Sequence, residues 1–80
     1  METLLDIVSV DARPDHTLRL EFENGERRAF DMTPFLTRKP FNRLESLALF
    51  LMARVEHGTV VWPGGVDIAP ETLYLRSVPM

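Results

Sequence analysis

Cysteine is missing from all 80 residues, which rules out disulfide staples, thiolate-bound zinc and a cysteine nucleophile together. A small secreted domain usually depends on such staples, so a reducing, cytoplasmic setting is expected. Long apolar runs are missing too. The longest, Leu47 to Ala53, falls far below the roughly 20 residues of a membrane-crossing helix. Acidic Glu2 and Asp6 stand near the N-terminus where a secretory signal would carry basic residues. Positive charge is scarce: nine Lys and Arg against twelve Asp and Glu give a net charge of −3. The only basic clusters are Arg27-Arg28 and Arg38-Lys39. Direct nucleic-acid binding, which needs a basic stripe to displace phosphate counterions, is not expected.

What is present is globular. Apolar residues make up 45% of the chain and charged residues 26%, with five Phe, one Trp and one Tyr to fill a small core. No linker, repeat or low-complexity tract interrupts it, so a single domain over residues 1–80 is expected, its core at about 6–75.

Ile7, Val8 and Val10 mark a strand over Asp6 to Ala12, and Arg13-Pro14-Asp15-His16 is turn chemistry. Leu18, Leu20 and Phe22 then alternate with Arg19, Glu21 and Glu23, the period of a strand with one buried and one wet face. Asn24-Gly25 signals a hairpin. A two-residue turn would set Glu21 opposite Arg28 and place Phe30 and Met32 on the outer face. A three-residue turn would shift the register by one and send Phe30 inward. The shorter turn is the expectation here.

Thr33-Pro34-Phe35-Leu36 has the form of a helical turn capped by Thr33. The sustained helix is expected from about Asn42 to Ala53, with Leu44, Leu47, Ala48 and Leu51 at helical spacing. Leu49, Phe50 and Met52 widen its apolar arc almost to a full circle. A strand over Arg54 to Glu56, a turn at His57-Gly58 and a strand over Thr59 to Trp62 make a second hairpin. Pro63-Gly64-Gly65 breaks the ladder, Val66 to Ile68 bridges onward, and Ala69 to Tyr74 makes a closing helical turn with Pro70 first. Arg76 to Met80 is expected to fray. The fold class is α+β: an antiparallel sheet of about five strands, one main helix packed on one face, and a short C-terminal helix.

Phe22-Glu23-Asn24-Gly25-Glu26, Phe30-Asp31, the run Thr59-Val60-Val61-Trp62-Pro63-Gly64-Gly65-Val66-Asp67-Ile68 and Pro70-Glu71-Thr72-Leu73-Tyr74 resemble the domain of unknown function DUF2442 over nearly the whole chain. The second-hairpin block is the specific one. Gly64 departs from relatives that often carry Asn or Asp there. The resemblance implies a small bacterial α+β domain without established activity. It also implies occasional fusion to a helix-turn-helix domain, or pairing with a short partner in toxin–antitoxin-like arrangements.

Reactive chemistry is thinly represented. His16 and His57 both sit in turns, and His57 with Glu56 offers only neighbours that point to opposite faces of a strand. A metal needs three or four convergent ligands, so no metal, cofactor or catalytic residue is expected. Asp31 ends a strand, where its carboxylate can accept backbone N–H groups of the next turn. Asp67 precedes a helix start and is expected to cap its orphan N–H groups. Trp62 is expected to close the core, with its glycines letting the backbone reverse; an exposed Trp62 would instead lead a contact surface.

The distinctive asset is surplus apolar surface. Phe30, Met32, Phe50, Met52 and Trp62 form the expected interaction surface. A non-catalytic interaction or regulatory module follows, with a protein partner or a second copy of the chain. The alternative is a small-ligand domain with a shallow pocket near Trp62, Asp67 and Tyr74, the acids Asp31 and Asp67 and the Tyr74 hydroxyl being its polar groups.

Overall fold

The computed structural model describes residues 5–80; Glu2, used above to read the N-terminus, lies outside them. Among the described residues, seven strands form two antiparallel sheets. The first sheet takes β1 (Ile7–Ala12), β2 (Thr17–Phe22), β3 (Arg27–Asp31) and β7 (Val78–Pro79) in that order. The second takes β4 (Arg54–Glu56), β5 (Thr59–Trp62) and β6 (Val66–Ile68). Two short helices, α1 (Leu47–Phe50) and α2 (Pro70–Leu75), complete it with 3-10 turns at Thr33–Phe35 and Phe41–Glu45. The α+β class holds. The expected single sheet of about five strands with one main helix does not.

The apolar residues of β2 build the core as their period of two requires. Leu18, Leu20 and Phe22 are buried, joined by Ile7, Phe30 and Met32 from the first sheet and Val60, Trp62, Val66 and Ile68 from the second. β1 is the seam between the sheets: the Ile7 N–H donates to Gly58 O at 2.9 Å. A β-bulge at Val8 shifts the β1–β2 register between Ile7 and Ser9 and turns Val8 to solvent.

The first hairpin corrects the expected register. Leu18 faces Phe30, Leu20 faces Arg28 and Glu21 faces Arg27, so the turn has three residues, Glu23-Asn24-Gly25. The Gly25 N–H donates to Phe22 O, and Gly25 takes a φ of 86°, the left-handed residue that closes such a loop. Burial decides it: this register puts Phe30 and Met32, both 0% exposed, into the core beside Leu18.

The expected helix over 42–53 is the second correction. Ser46 is extended (ψ 114°) and splits the segment into a 3-10 turn and the four-residue α1. Two bonds accompany the split. The Leu44 carbonyl, which a continuous helix would offer to the Ala48 N–H, is paired with His16 Nε2 at 3.0 Å, and the Ser46 hydroxyl accepts the Leu49 N–H to cap α1. At the other end of α1 the Phe50 carbonyl accepts from Trp62 Nε1 at 2.9 Å. The third correction is at the C-terminus: Val78–Pro79 pairs with Arg28 and Ala29 of β3 rather than fraying. Val66–Ile68 is likewise a full ladder strand on β5.

Candidate functional site

The densest polar cluster ties the C-terminal segment to β3. Arg28 lies on the inner side of its strand, opposite Leu20. Its Nη1 donates to Glu26 Oε2 at 2.6 Å, its Nε to Ser77 Oγ at 2.6 Å, and its Nη2 to Ser77 O at 2.8 Å. The guanidinium stacks over the Tyr74 ring, which meets Phe22 edge-on at 5.2 Å. The Tyr74 hydroxyl donates to Glu26 Oε1 at 2.9 Å, and Ser77 Oγ donates to Tyr74 O at 3.0 Å. The hydrogen bonds from Arg28 and then Tyr74 hold the Glu26 carboxyl below its ordinary range. Donation to Glu26, aided by desolvation, raises the Tyr74 phenol. Each group here already has its partner, so the cluster works as a clasp.

The residues expected to form an interaction surface scatter. Phe30, Met32 and Phe50 are 0% exposed and Trp62 is 2% exposed; only Met52, at 56%, faces solvent. The four buried residues cannot be a contact surface. Phe30 and Met32 are turned in by the three-residue hairpin. Phe50 packs between His16 and Trp62, 4.8 and 6.2 Å away by ring centres.

Asp31 accepts the Thr33 N–H at 3.0 Å, as its turn position suggested; Thr33 itself makes no cap. Asp67 does not cap α2. Ala69 is the N-cap, with no side-chain bond, because Asp67 lies within β6 and alternation points it outward. Trp62 and Asp67 do line one open hollow of about 290 Å³ with Arg54, Glu56, Gly64 and Gly65. Tyr74 is not part of it. Among the described residues, no three His, Cys, Asp or Glu gather as a metal-binding group.

Two surfaces differ from those expected: the first keeps Met52 but adds Leu47 and Leu51, which their helical spacing assigned to the buried stripe, and the second was not foreseen. On α1 and the turn after it, Leu47, Leu51 and Met52 are exposed together at 36%, 44% and 56%, with Leu47 and Leu51 four apart on one side. On the outer face of the first sheet, Asp11, Arg19 and Arg27 are exposed and Glu21 half-exposed around a hollow of about 260 Å³ that Met80 also borders. The alternation of β2 and β3 could have revealed the second surface had the hairpin register been set by the burial of Phe30.

The family model described as "Protein of unknown function (DUF2442)" matches residues 7–79. No curated protein and no solved structure gives a significant match. The chain belongs to the DUF2442 family.

Proposed function

We propose that this member of the DUF2442 family is a non-catalytic protein-interaction module, the antitoxin-like partner of another small bacterial protein in the cytoplasm. One observation carries the reading: how the side chains are employed. Of the groups singled out for chemistry, Asp31, His16 and Tyr74 are spent on architecture. Asp31 and Asp15 each accept a backbone N–H two residues ahead, His16 pairs with Leu44 O, and Glu26, Arg28, Tyr74 and Ser77 satisfy one another. The Leu47, Leu51 and Met52 patch is, by contrast, left to solvent. Clustered exposed apolar side chains are the usual mark of a protein-binding surface.

The test is co-expression with the product of an adjacent short reading frame. A stable complex is expected from the natural chain, and the double substitution Leu51→Lys and Met52→Lys should weaken it at least about tenfold, as loss of a buried apolar anchor does. No complex with the natural chain, or one indifferent to both lysines, would sink this reading.

A further inference from the structure

The cross-strand registers arrange the outer face of the first sheet in rows. Ser9 faces Glu21, Glu21 faces Arg27, and the Met80 N–H donates to Arg27 O at 3.1 Å, giving the row Ser9, Glu21, Arg27, Met80. Asp11 faces Arg19, Arg19 faces Ala29 and Ala29 faces Val78, giving the next row. The first row runs serine, acid, base and methionine from β1 to β7, and the second runs acid, base, alanine and valine, so that on β2 an acid in one row stands beside a base in the other. Val78 and Met80 are 61% and 62% exposed. Despite these oppositions, Asp11 pairs with Arg13 at 3.1 Å, and Arg19, Glu21 and Arg27 make no ion pair among the described residues.

We infer that this face binds a second copy of the chain, sheet against sheet. A two-fold axis across the strands, midway between the rows, exchanges one row with the other. Arg19 of each copy then meets Glu21 of its partner, and Val78 of each meets the partner's Met80. The face is complementary to itself in charge along β2 and in apolar contact along β7, while Asp11 meets the partner's Ser9 and Arg27 meets the partner's Ala29 without setting like charges together. Edge-to-edge addition is the competing geometry, and Pro79 opposes it. With Met80 bonded to Arg27, alternation turns Pro79 to the open edge of β7, where it has no N–H to offer.

Four strands of six residues or fewer cover about 19 by 20 Å, well under the roughly 800 Å² per partner of a standard interface. Association is therefore weak, with a Kd on the order of 100 μM. This face is separate from Leu47, Leu51 and Met52, so failure of either test leaves the other proposal standing.

Sedimentation velocity and NMR line widths from tens of micromolar to about 1 mM measure the association. The natural chain is expected to dimerise across that range. Arg19→Glu alone and Glu21→Arg alone should each be monomeric, by setting like charges against one another. An equimolar mixture of the two variants should dimerise again, because both pairs between positions 19 and 21 are then opposite in sign. Val78→Lys should abolish association without disturbing circular dichroism. A natural chain that stays monomeric at the highest concentration overturns the inference, as does a variant mixture no more associated than its components.

Discussion

Arg28 lies over Tyr74, with its guanidinium carbon 4.6 Å from the ring centre, while the same guanidinium reaches Glu26 and Ser77. One side chain thus joins the first hairpin to a segment 49 positions away. Ser77 is only 6% exposed, so Ser77→Ala removes a partner where water cannot substitute freely. A loss of about 1.5–3 kcal/mol is expected, the range for a bond to a charged group. Urea denaturation measures it. Hydrogen exchange should show Val78 and Met80 losing protection while β2 keeps its own.

The same clasp sets a pH window. Glu26 is lowered by Arg28 and Tyr74, so its contribution is complete above the ordinary carboxylate value and is lost as pH falls through the lowered one. Tyr74 is raised by Glu26, so its contribution is complete below the ordinary phenol value and is lost as pH rises through the raised one. The urea midpoint should therefore decline at both extremes. Tyr74→Phe should erase the alkaline decline and leave part of the acid one. Because Tyr74 is the single tyrosine, phenolate absorbance of the natural chain reports its titration alone.

Phe30→Ala should cost about 3–5 kcal/mol, the usual penalty for emptying a closed aromatic site. That is a large share of what a domain of this size holds in reserve, roughly 4–12 kcal/mol. The fluorescence of Trp62, the only tryptophan, follows the unfolding. A cost below about 1 kcal/mol would mean that Phe30 is outside after all and the two-residue register correct.

Two glycines in the left-handed region should respond differently to alanine. Gly25 has open space where a Cβ would go, so Gly25→Ala pays only for the left-handed backbone, about 1–2 kcal/mol. A Cβ on Gly58 would stand 2.6 Å from the Asp6 carboxyl, adding a collision beside the Ile7–Gly58 seam. Gly58→Ala should be clearly the worse of the two in thermal unfolding.

How legible was this molecule in its sequence? β2 was plain from alternation, and the β4–β5 hairpin from His57-Gly58, whose φ values of 53° and 78° are those a tight two-residue turn demands. Asn24-Gly25 located the first turn but not its length, since the pair serves loops of two or three residues; only the burial of Phe30 chooses. The run from Leu47 to Ala53 misled because a segment apolar on every side is compatible with any covered backbone. What interrupts its helix at Leu44, the pairing with His16, comes from 28 positions away. β6 was too short for alternation to register as a strand. Ser77 and Val78 carry no local sign that Arg28 and Ala29 await them. Of the expected contact residues, only Met52 faces solvent, for the same reason: register and long-range bonds decide burial, and composition does not.

The bond between Ile7 and Gly58 binds one of the first described residues to a turn in the second half of the chain. β1, a strand of the first sheet, is thereby tied to the second as well. Neither hairpin pair can loosen by itself without exposing the apolar face of the other. Melting should consequently be all-or-none, with fluorescence, circular dichroism and exchange of the slowest amides tracing a single curve, and a chain cut between β3 and β4 should yield two unstructured fragments rather than one surviving half.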